Sequence, residues 1–159
     1  MSEYVMFYIK DDKSNRWIEL DSFSRNTEMF QICKNEVGWE QWRELPIETI
    51  MSLQNECGEH MDRQKDMIES YRRNNEFLKT LNRPVSEIME EKNSNDEMIN
   101  ECEDTLHELT GVMAELRVYA MILQNSCYCD NKVHICLAHE CDPNDDDDDE
   151  TPALEISRE

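Results

Sequence analysis

The stretch FLKTLNRPVSEI, residues 77–88, joins two long segments that are rich in helix-forming residues. Pro46 and Pro84 each suit the first turn of a helix, because proline lacks the amide hydrogen that this turn does not need. The sequence therefore predicts helices over residues 46–81 and 84–125. Because the link LNRPV is short, the two helices should fold back on each other as an antiparallel pair.

Both segments carry the three-and-four spacing of a coiled-coil seam. The seam residues are Ile50, Leu53, Cys57, His60, Gln64, Met67, Tyr71, Asn74, Leu78 and Leu81 in the first helix, and Ile99, Cys102, Leu106, Leu109, Met113, Leu116, Ala120 and Leu123 in the second. With a turn near Arg83, Met67 should face Ile99 and Asn74 should face Lys92. Alternatively, residues 92–97 (KNSNDE) break the second segment into two shorter helices.

The N-terminal region has the pattern of a β-hairpin. Residues 4–10 (YVMFYIK) and 16–23 (RWIELDSF) are rich in β-branched and aromatic side chains, and a polar turn separates them. A short helix should follow, capped near Ser24 or Asn26 and ending at Gly38. Since an isolated hairpin is only marginally stable in water, it should pack on the helices.

Two tryptophans follow this short helix. Trp39 and Trp42 either pack the hairpin against the helices or contact a partner, a role for which tryptophan is enriched. We thus expect an α+β protein that is mostly α. Its parts are a β-hairpin plus short helix at 1–45, an antiparallel helical hairpin at 46–126, a small Cys/His-containing β segment at 127–141 and a disordered acidic tail at 142–159.

The Cys/His segment reads CYCDNKVHICLAHEC. If it forms a hairpin, Cys127 and Cys129 share one side of one strand, while His134 and Cys136 share a side of the other. These four side chains could then bind a structural zinc ion, with His139 and Cys141 as alternates. The other interpretations are free thiols in a small β segment, or disulfides formed by air oxidation. No secretory leader is evident, so we expect a cytoplasmic protein with reduced cysteines.

The formal net charge is −21, and it is unevenly distributed. Residues 84–104 carry eight acids and one base, and residues 140–159 carry ten acids and one base. Such a chain is a poor partner for nucleic acid, whose affinity for proteins comes from Lys and Arg at the phosphates. Anionic membranes are disfavoured for the same reason, and no stretch is long and apolar enough to span one. A basic protein surface is the expected partner.

An acidic stripe runs along the second predicted helix. It consists of Glu87, Glu90, Glu91, Glu97, Glu101, Asp104 and Glu108, spaced three, four or seven residues apart on one face adjacent to the seam. Like charges at these spacings destabilise a helix, and their separation of ~5–6 Å is comparable with that of DNA phosphates. The stripe either imitates a phosphate backbone or is an ordinary solubilising face.

No motif of a phosphate-binding loop, a dinucleotide fold or a nucleophile elbow occurs, so we expect a non-enzymatic protein. The leading hypothesis is an inhibitor that binds a basic, nucleic-acid-handling protein and acts as a DNA mimic. Small, acidic phage-encoded inhibitors combine the same features, which is an argument by analogy. The alternative is a structural coiled-coil subunit whose polar seam other copies complete, and a zinc-dependent enzyme is a distant third.

Overall fold

The computed structural model describes residues 3–37 and 42–144. The predictions for Trp39 and for residues 145–159 of the predicted disordered tail at 142–159 lie outside the described residues. In chain order the elements are β1 (Tyr4–Asp11), β2 (Ile18–Ser24), α1 (Glu28–Val37), β3 (Trp42–Glu44), α2 (Ile47–Leu78), α3 (Val85–Ser126) and β4 (Val133–His139). The expected α+β class, mostly α with two long packed helices, is confirmed.

The four strands form one antiparallel sheet in the order β2-β1-β4-β3. The predicted hairpin is β1 with β2. The last strand was expected in a small local segment, but β4 inserts between β1 and β3 and pairs with β1 from Val5–His139 to Asp11–Val133. Strand β4 is thus one of the two central strands of the sheet and pairs with β1 along its whole length.

The two faces of the sheet bury different side chains because successive residues of a strand point to opposite sides. On the inner face, Val5 and Phe7 of β1 join the core formed with the helices. On the outer face, Met6 and Tyr8 pack with other buried residues. Those outer-face neighbours are Trp17, Trp42, Cys136 and Ala138.

Residues after β4 cross the outer face of the sheet. The backbone amide of Trp17 donates to Asn144 Oδ1 at 2.7 Å, and Asn144 Nδ2 donates to the Trp17 carbonyl at 2.7 Å. Burial raises the pKa of Tyr8 to about 12, and the carboxylate of Asp142 contributes to the increase. Residues 142–144, which we assigned to a tail, are therefore fixed to the hairpin.

Helix α1 begins where Thr27 caps it. The Phe30 amide donates to Thr27 Oγ1 at 3.3 Å, which satisfies one of the unpaired amides of the first turn. The predicted cap residues lay one to three positions earlier. Met29, Ile32 and Cys33 are completely buried, so α1 is held by its apolar face.

The long helices begin directly after Pro46 and Pro84, as predicted. With 32 and 42 residues, α2 and α3 extend for roughly 48 and 63 Å at 1.5 Å per residue. Helix α3 continues unbroken through residues 92–97, so the alternative of two shorter helices is wrong.

The register of the helix pair differs from the prediction in its distal half. Ile68, not Met67, packs with Ile99 in the seam. Asn74 meets Asn95, three positions beyond the expected Lys92. The next seam residue after Gln64 is Ile68, four positions on, and not Met67, three positions on. The seam therefore buries a β-branched isoleucine and leaves the adjacent methionine exposed.

Candidate protein-binding surface

The acidic stripe lies on the side of α3 that faces away from α2. Glu97 and Glu101 are each two positions from the buried Ile99, and two positions correspond to about 200° around a helix. Asp104 has the same relation to the buried Cys102. Glu97, Glu101 and Asp104 therefore point away from α2, and the expectation that the stripe is adjacent to the seam does not hold for these three residues.

Internal ion pairs divide the stripe into two groups. Arg83 in the link contacts Glu87 at 3.5 Å and Glu91 at 3.1 Å. In the part of the chain that the structure describes, no basic nitrogen lies within 4 Å of the other exposed carboxylates on this face. These are Glu90, Glu97, Glu101 and Asp104. We call these four residues the free stripe; they are exposed and have no ion pair among the described residues.

The last residue of the predicted stripe has a structural role. Glu108 Oε2 accepts a hydrogen bond from the Glu28 amide at 2.5 Å, so it caps the first turn of α1. Burial raises the pKa of Glu28, the Glu108 carboxylate raises it further, and His60 opposes the shift. Glu108 therefore joins α3 to α1.

Polar residues in the distal seam bond with one another within a single chain. Asn95 Nδ2 donates to Asn74 Oδ1 at 2.6 Å and to Asn75 Oδ1 at 2.9 Å. Asn75 Nδ2 donates to Asp96 Oδ1 at 3.0 Å, and Lys92 Nζ donates to Asp96 Oδ2 at 2.8 Å. Hydrogen bonding to Lys92 is the largest cause of the lowered pKa of Asp96. This network stabilises the register of the seam without a second copy of the chain.

Trp42, a proposed partner contact, is buried in the outer-face cluster with 4% of its surface exposed. Its packing interpretation therefore fits the structure, whereas a contact with a partner would require the cluster to open.

The predicted zinc ligands are distributed over different environments. Cys127 and Cys129 are exposed in the turn that ends α3, whereas Cys136 is buried in β4 and burial raises the pKa of its thiol to about 12. The predicted strand at Cys127–Cys129 is wrong, because these residues continue the helical turn, where two positions are about 200° apart. Their Sγ atoms accordingly point to the carbonyls of Leu123 and Asn125.

The remaining candidate ligands have other neighbours. Both ring nitrogens of His134 contact carboxylates: Nδ1 contacts Glu44, and Nε2 contacts Asp12 Oδ1 at 2.5 Å. Cys141 packs against the outer-face cluster. The zinc prediction remains a prediction that metal analysis can test, and these positions give it no support.

One group of three possible ligands does occur among the described residues. Glu3, His139 and Glu140 each offer one atom, and these atoms lie within 4.8 Å of one another. His139 was an alternate ligand in our zinc prediction. Glu140 follows it directly in the sequence, whereas Glu3 reaches it only through the pairing of β1 with β4. Exposed acids often gather in this way without a metal.

A second exposed surface was also missed. Met51 of α2 and Val118 and Met121 of α3 are each at least half exposed, although they flank the best-packed part of the seam. Their signal in the sequence is apolar side chains one or two positions away from predicted seam residues.

Comparison of the chain with family models, with curated proteins and with solved structures finds no match. Within the described ranges, no helix has an apolar stretch that is long enough to cross a membrane. The proposals below therefore depend on the geometry and chemistry of this chain.

Proposed function

We propose that this protein is a non-enzymatic binder of a basic, nucleic-acid-handling protein and inhibits it as a DNA mimic. The observation that carries the proposal is the free stripe, Glu90, Glu97, Glu101 and Asp104, exposed on one unbroken helix without ion-pair partners among the described residues. Carboxylates at these spacings repel one another and destabilise their own helix. A basic partner would relieve this repulsion.

The dimensions of the free stripe fit this role. From Glu90 to Asp104 the helix rises ~21 Å at 1.5 Å per residue. One strand of B-DNA carries a phosphate every ~3.4 Å along its axis, so the same length holds about six phosphates. Four fixed carboxylates thus supply a comparable line of charge, and the acidic tract at 145–150 adds a second source of electrostatic attraction.

The alternative, a structural coiled-coil subunit, depended on a polar seam that other copies would complete. Asn74, Asn75, Asn95 and Asp96 bond with one another inside one chain, so that argument no longer favours it. The inhibitor hypothesis keeps its supporting feature, since the stripe is directed away from the seam.

The proposal can be tested by capture from a lysate of the native host with four carboxylates neutralised, E90Q/E97Q/E101Q/D104N. The matched control is E48Q/E59Q/D62N/D66N. It removes four exposed acids of α2 and has the same net charge as the stripe variant. Wild type and control should retain basic nucleic-acid-binding proteins at about 0.1 M salt, while the stripe variant should lose them. Retention should fall strongly near ~0.5 M salt, where screening is short-ranged.

A second step tests mimicry directly. A captured protein is purified, bound to a labelled 20-base-pair duplex (about two turns of DNA), and titrated with the wild-type chain. Stoichiometric displacement of the duplex is the expected result. Equal capture by both quadruple variants, or a duplex that stays bound, would contradict the proposal.

A further inference from the structure

Three side chains that can bind a metal meet where β1 begins and β4 ends. Glu3 lies directly before β1, His139 is the last residue of β4, and Glu140 follows it. One ligand atom of each residue lies within 4.8 Å of the other two. This set shares only His139 with the Cys/His segment that the sequence suggested, and it combines one nitrogen with two oxygen donors.

Backbone hydrogen bonds fix the positions of all three residues. His139 is paired with β1 in the sheet. The amide of Glu140 donates to the Tyr4 carbonyl at 3.2 Å, and the carbonyl of Glu3 accepts from the Arg25 amide at 2.9 Å. The three side chains therefore start from an ordered backbone, which lowers the entropic cost of closing around an ion.

The backbone conformation of Glu140 accounts for the meeting of two adjacent side chains. Successive side chains of an extended strand point to opposite faces, so His139 and Glu140 would normally point apart. Glu140 instead has a φ of 60°, in the left-handed region that is unfavourable for residues other than glycine. The strand ends here, and a carboxylate oxygen of Glu140 lies within 4.8 Å of a ring nitrogen of His139.

The surroundings of this set favour a cation. Among the residues that the structure describes, no Lys or Arg nitrogen lies within 4 Å of the Glu3 or Glu140 carboxylates. The repulsion between these two converging charges is therefore not offset by a basic side chain. The ring of His139 packs edge-on against Phe30, with ring centroids 6.2 Å apart, which restricts its rotation. Glu3 and His139 are half-buried, so a bound ion would be partly shielded from water.

We propose that Glu3, His139 and Glu140 bind one Zn²⁺ ion. Zinc accepts both imidazole nitrogen and carboxylate oxygen at about 2.0–2.2 Å, whereas Mg²⁺ and Ca²⁺ prefer oxygen ligands. In a tetrahedron with such bonds the ligand atoms are about 3.3 Å apart. Side-chain rotations that bring the three atoms closer by at most about 1.5 Å would therefore complete the site. A water molecule would occupy the fourth position.

The position of the site predicts its effect on the protein. A zinc ion here would connect the start of β1 to the end of β4, the two central strands of the sheet. Because these ends meet only in the folded chain, zinc should stabilise the fold. The inference goes beyond the proposed function and does not depend on it, since the free stripe lies on α3.

The test begins with a background in which thiols cannot compete for zinc. C127S/C129S/C141S replaces the three cysteines that are not buried. After treatment with a chelator and its removal, this protein is titrated with zinc in competition with a chromophoric chelator. About one zinc ion should bind per chain. Zinc at about 100 times its Kd should raise the Tm by about 5–10 °C.

Single substitutions in this background identify the ligands. E3Q, H139Q and E140Q should each weaken zinc binding at least tenfold, because even the partners of metal ligands have effects of about 10–100-fold. The matched control E19Q removes one exposed acid of β2 and should leave zinc binding unchanged. Since H139Q also alters the contact with Phe30, E3Q and E140Q decide the result. Circular dichroism without zinc checks that each variant is folded.

Three outcomes would overturn the inference. One is the absence of zinc binding in C127S/C129S/C141S, which would assign any zinc of the wild-type chain to its thiols. Another is zinc binding that E3Q and E140Q leave unchanged. The third comes from cobalt(II) in place of zinc: one nitrogen and two oxygen ligands give no thiolate charge-transfer absorption, so such a band would identify a cysteine ligand.

Discussion

The proximal and distal halves of the helix pair are stabilised by different interactions. In the proximal half, Leu53, Cys57, Leu109 and Leu116 are completely buried between the helices and the sheet. In the distal half, Ile68, Ile99 and Cys102 form a small apolar cluster. Beyond it, asparagine side chains bond across the seam before the buried Leu78. The proximal half provides most of the stability, and the distal half maintains the register of the two helices and carries the exposed acidic residues.

The largest test of this difference truncates one leucine or isoleucine in each half. L109A should reduce the free energy of unfolding by about 2–5 kcal/mol, because its cavity would lie in the closed core. I99A should lie at or below the lower end of that range, since a narrow two-helix seam can collapse around a small cavity. Urea denaturation measures both, with M67A as a control expected within ~0.5 kcal/mol. Equal losses in L109A and I99A would contradict the comparison.

A second test removes the centre of the polar seam. N95A leaves Asn74 Oδ1 and Asn75 Oδ1 without their donor, so it should reduce the free energy of unfolding by about 1–3 kcal/mol. We expect the lower end, because both partners are partly exposed to water. Replacing all three asparagines with leucine should recover the loss but weaken the choice of register. If N95A unfolds like wild type, the network has no role in stability.

A third test concerns Glu28, the acid at the junction of the two halves. Burial and Glu108 raise the folded-state pKa of Glu28 above its unfolded value, so wild-type stability falls as pH rises through that interval. Glutamine cannot ionise. As pH rises from about 4 to about 7, the Tm of wild type should therefore fall relative to the Tm of E28Q. E36Q, at an exposed position of α1, is the control, and parallel Tm curves for E28Q and wild type would refute the linkage.

The smallest expected effect concerns Arg83 at the end of the distal half. R83A removes two exposed ion pairs, which together should contribute less than about 1 kcal/mol and less still at high salt. The same change frees Glu87 and Glu91, so capture of a basic partner should increase while Tm hardly changes. A decrease in capture would indicate that Arg83 itself contacts the partner.

Local patterns in the sequence predicted much of this fold. The prolines marked the starts of both long helices, and the heptad spacing identified most of the seam. Met67 and Ile68 are adjacent and both apolar, so spacing alone could not decide which one the distal seam buries. β3 has only three residues, too few for a periodic signal. The position of β4 depends on pairing with a strand more than a hundred residues away, which alternation within β4 cannot specify.

The candidate site shows the same limit. Exposure of the acidic stripe followed from helix periodicity, but the roles of Arg83 and Glu108 depend on the link and on α1. The cysteine cluster was misplaced because Cys127 and Cys129 look the same in sequence whether they end a helix or begin a strand. Their different neighbours follow from a helical turn that continues past Ser126 through Cys127 and Cys129, where the prediction began the β segment.

The central position of β4 has a consequence for synthesis of the chain. Strand β1 emerges from the ribosome long before β4, its neighbour in the sheet, which ends at His139. At ~5–20 residues per second, synthesis from Ser24 at the end of the first hairpin to His139 takes roughly 6–23 s. The helix pair, whose contacts are closer in sequence, can form during this interval. Strand β4 then pairs with β1 and completes the sheet. If synthesis stopped before β4, the backbone edge of β1 would stay unpaired and could bind other molecules.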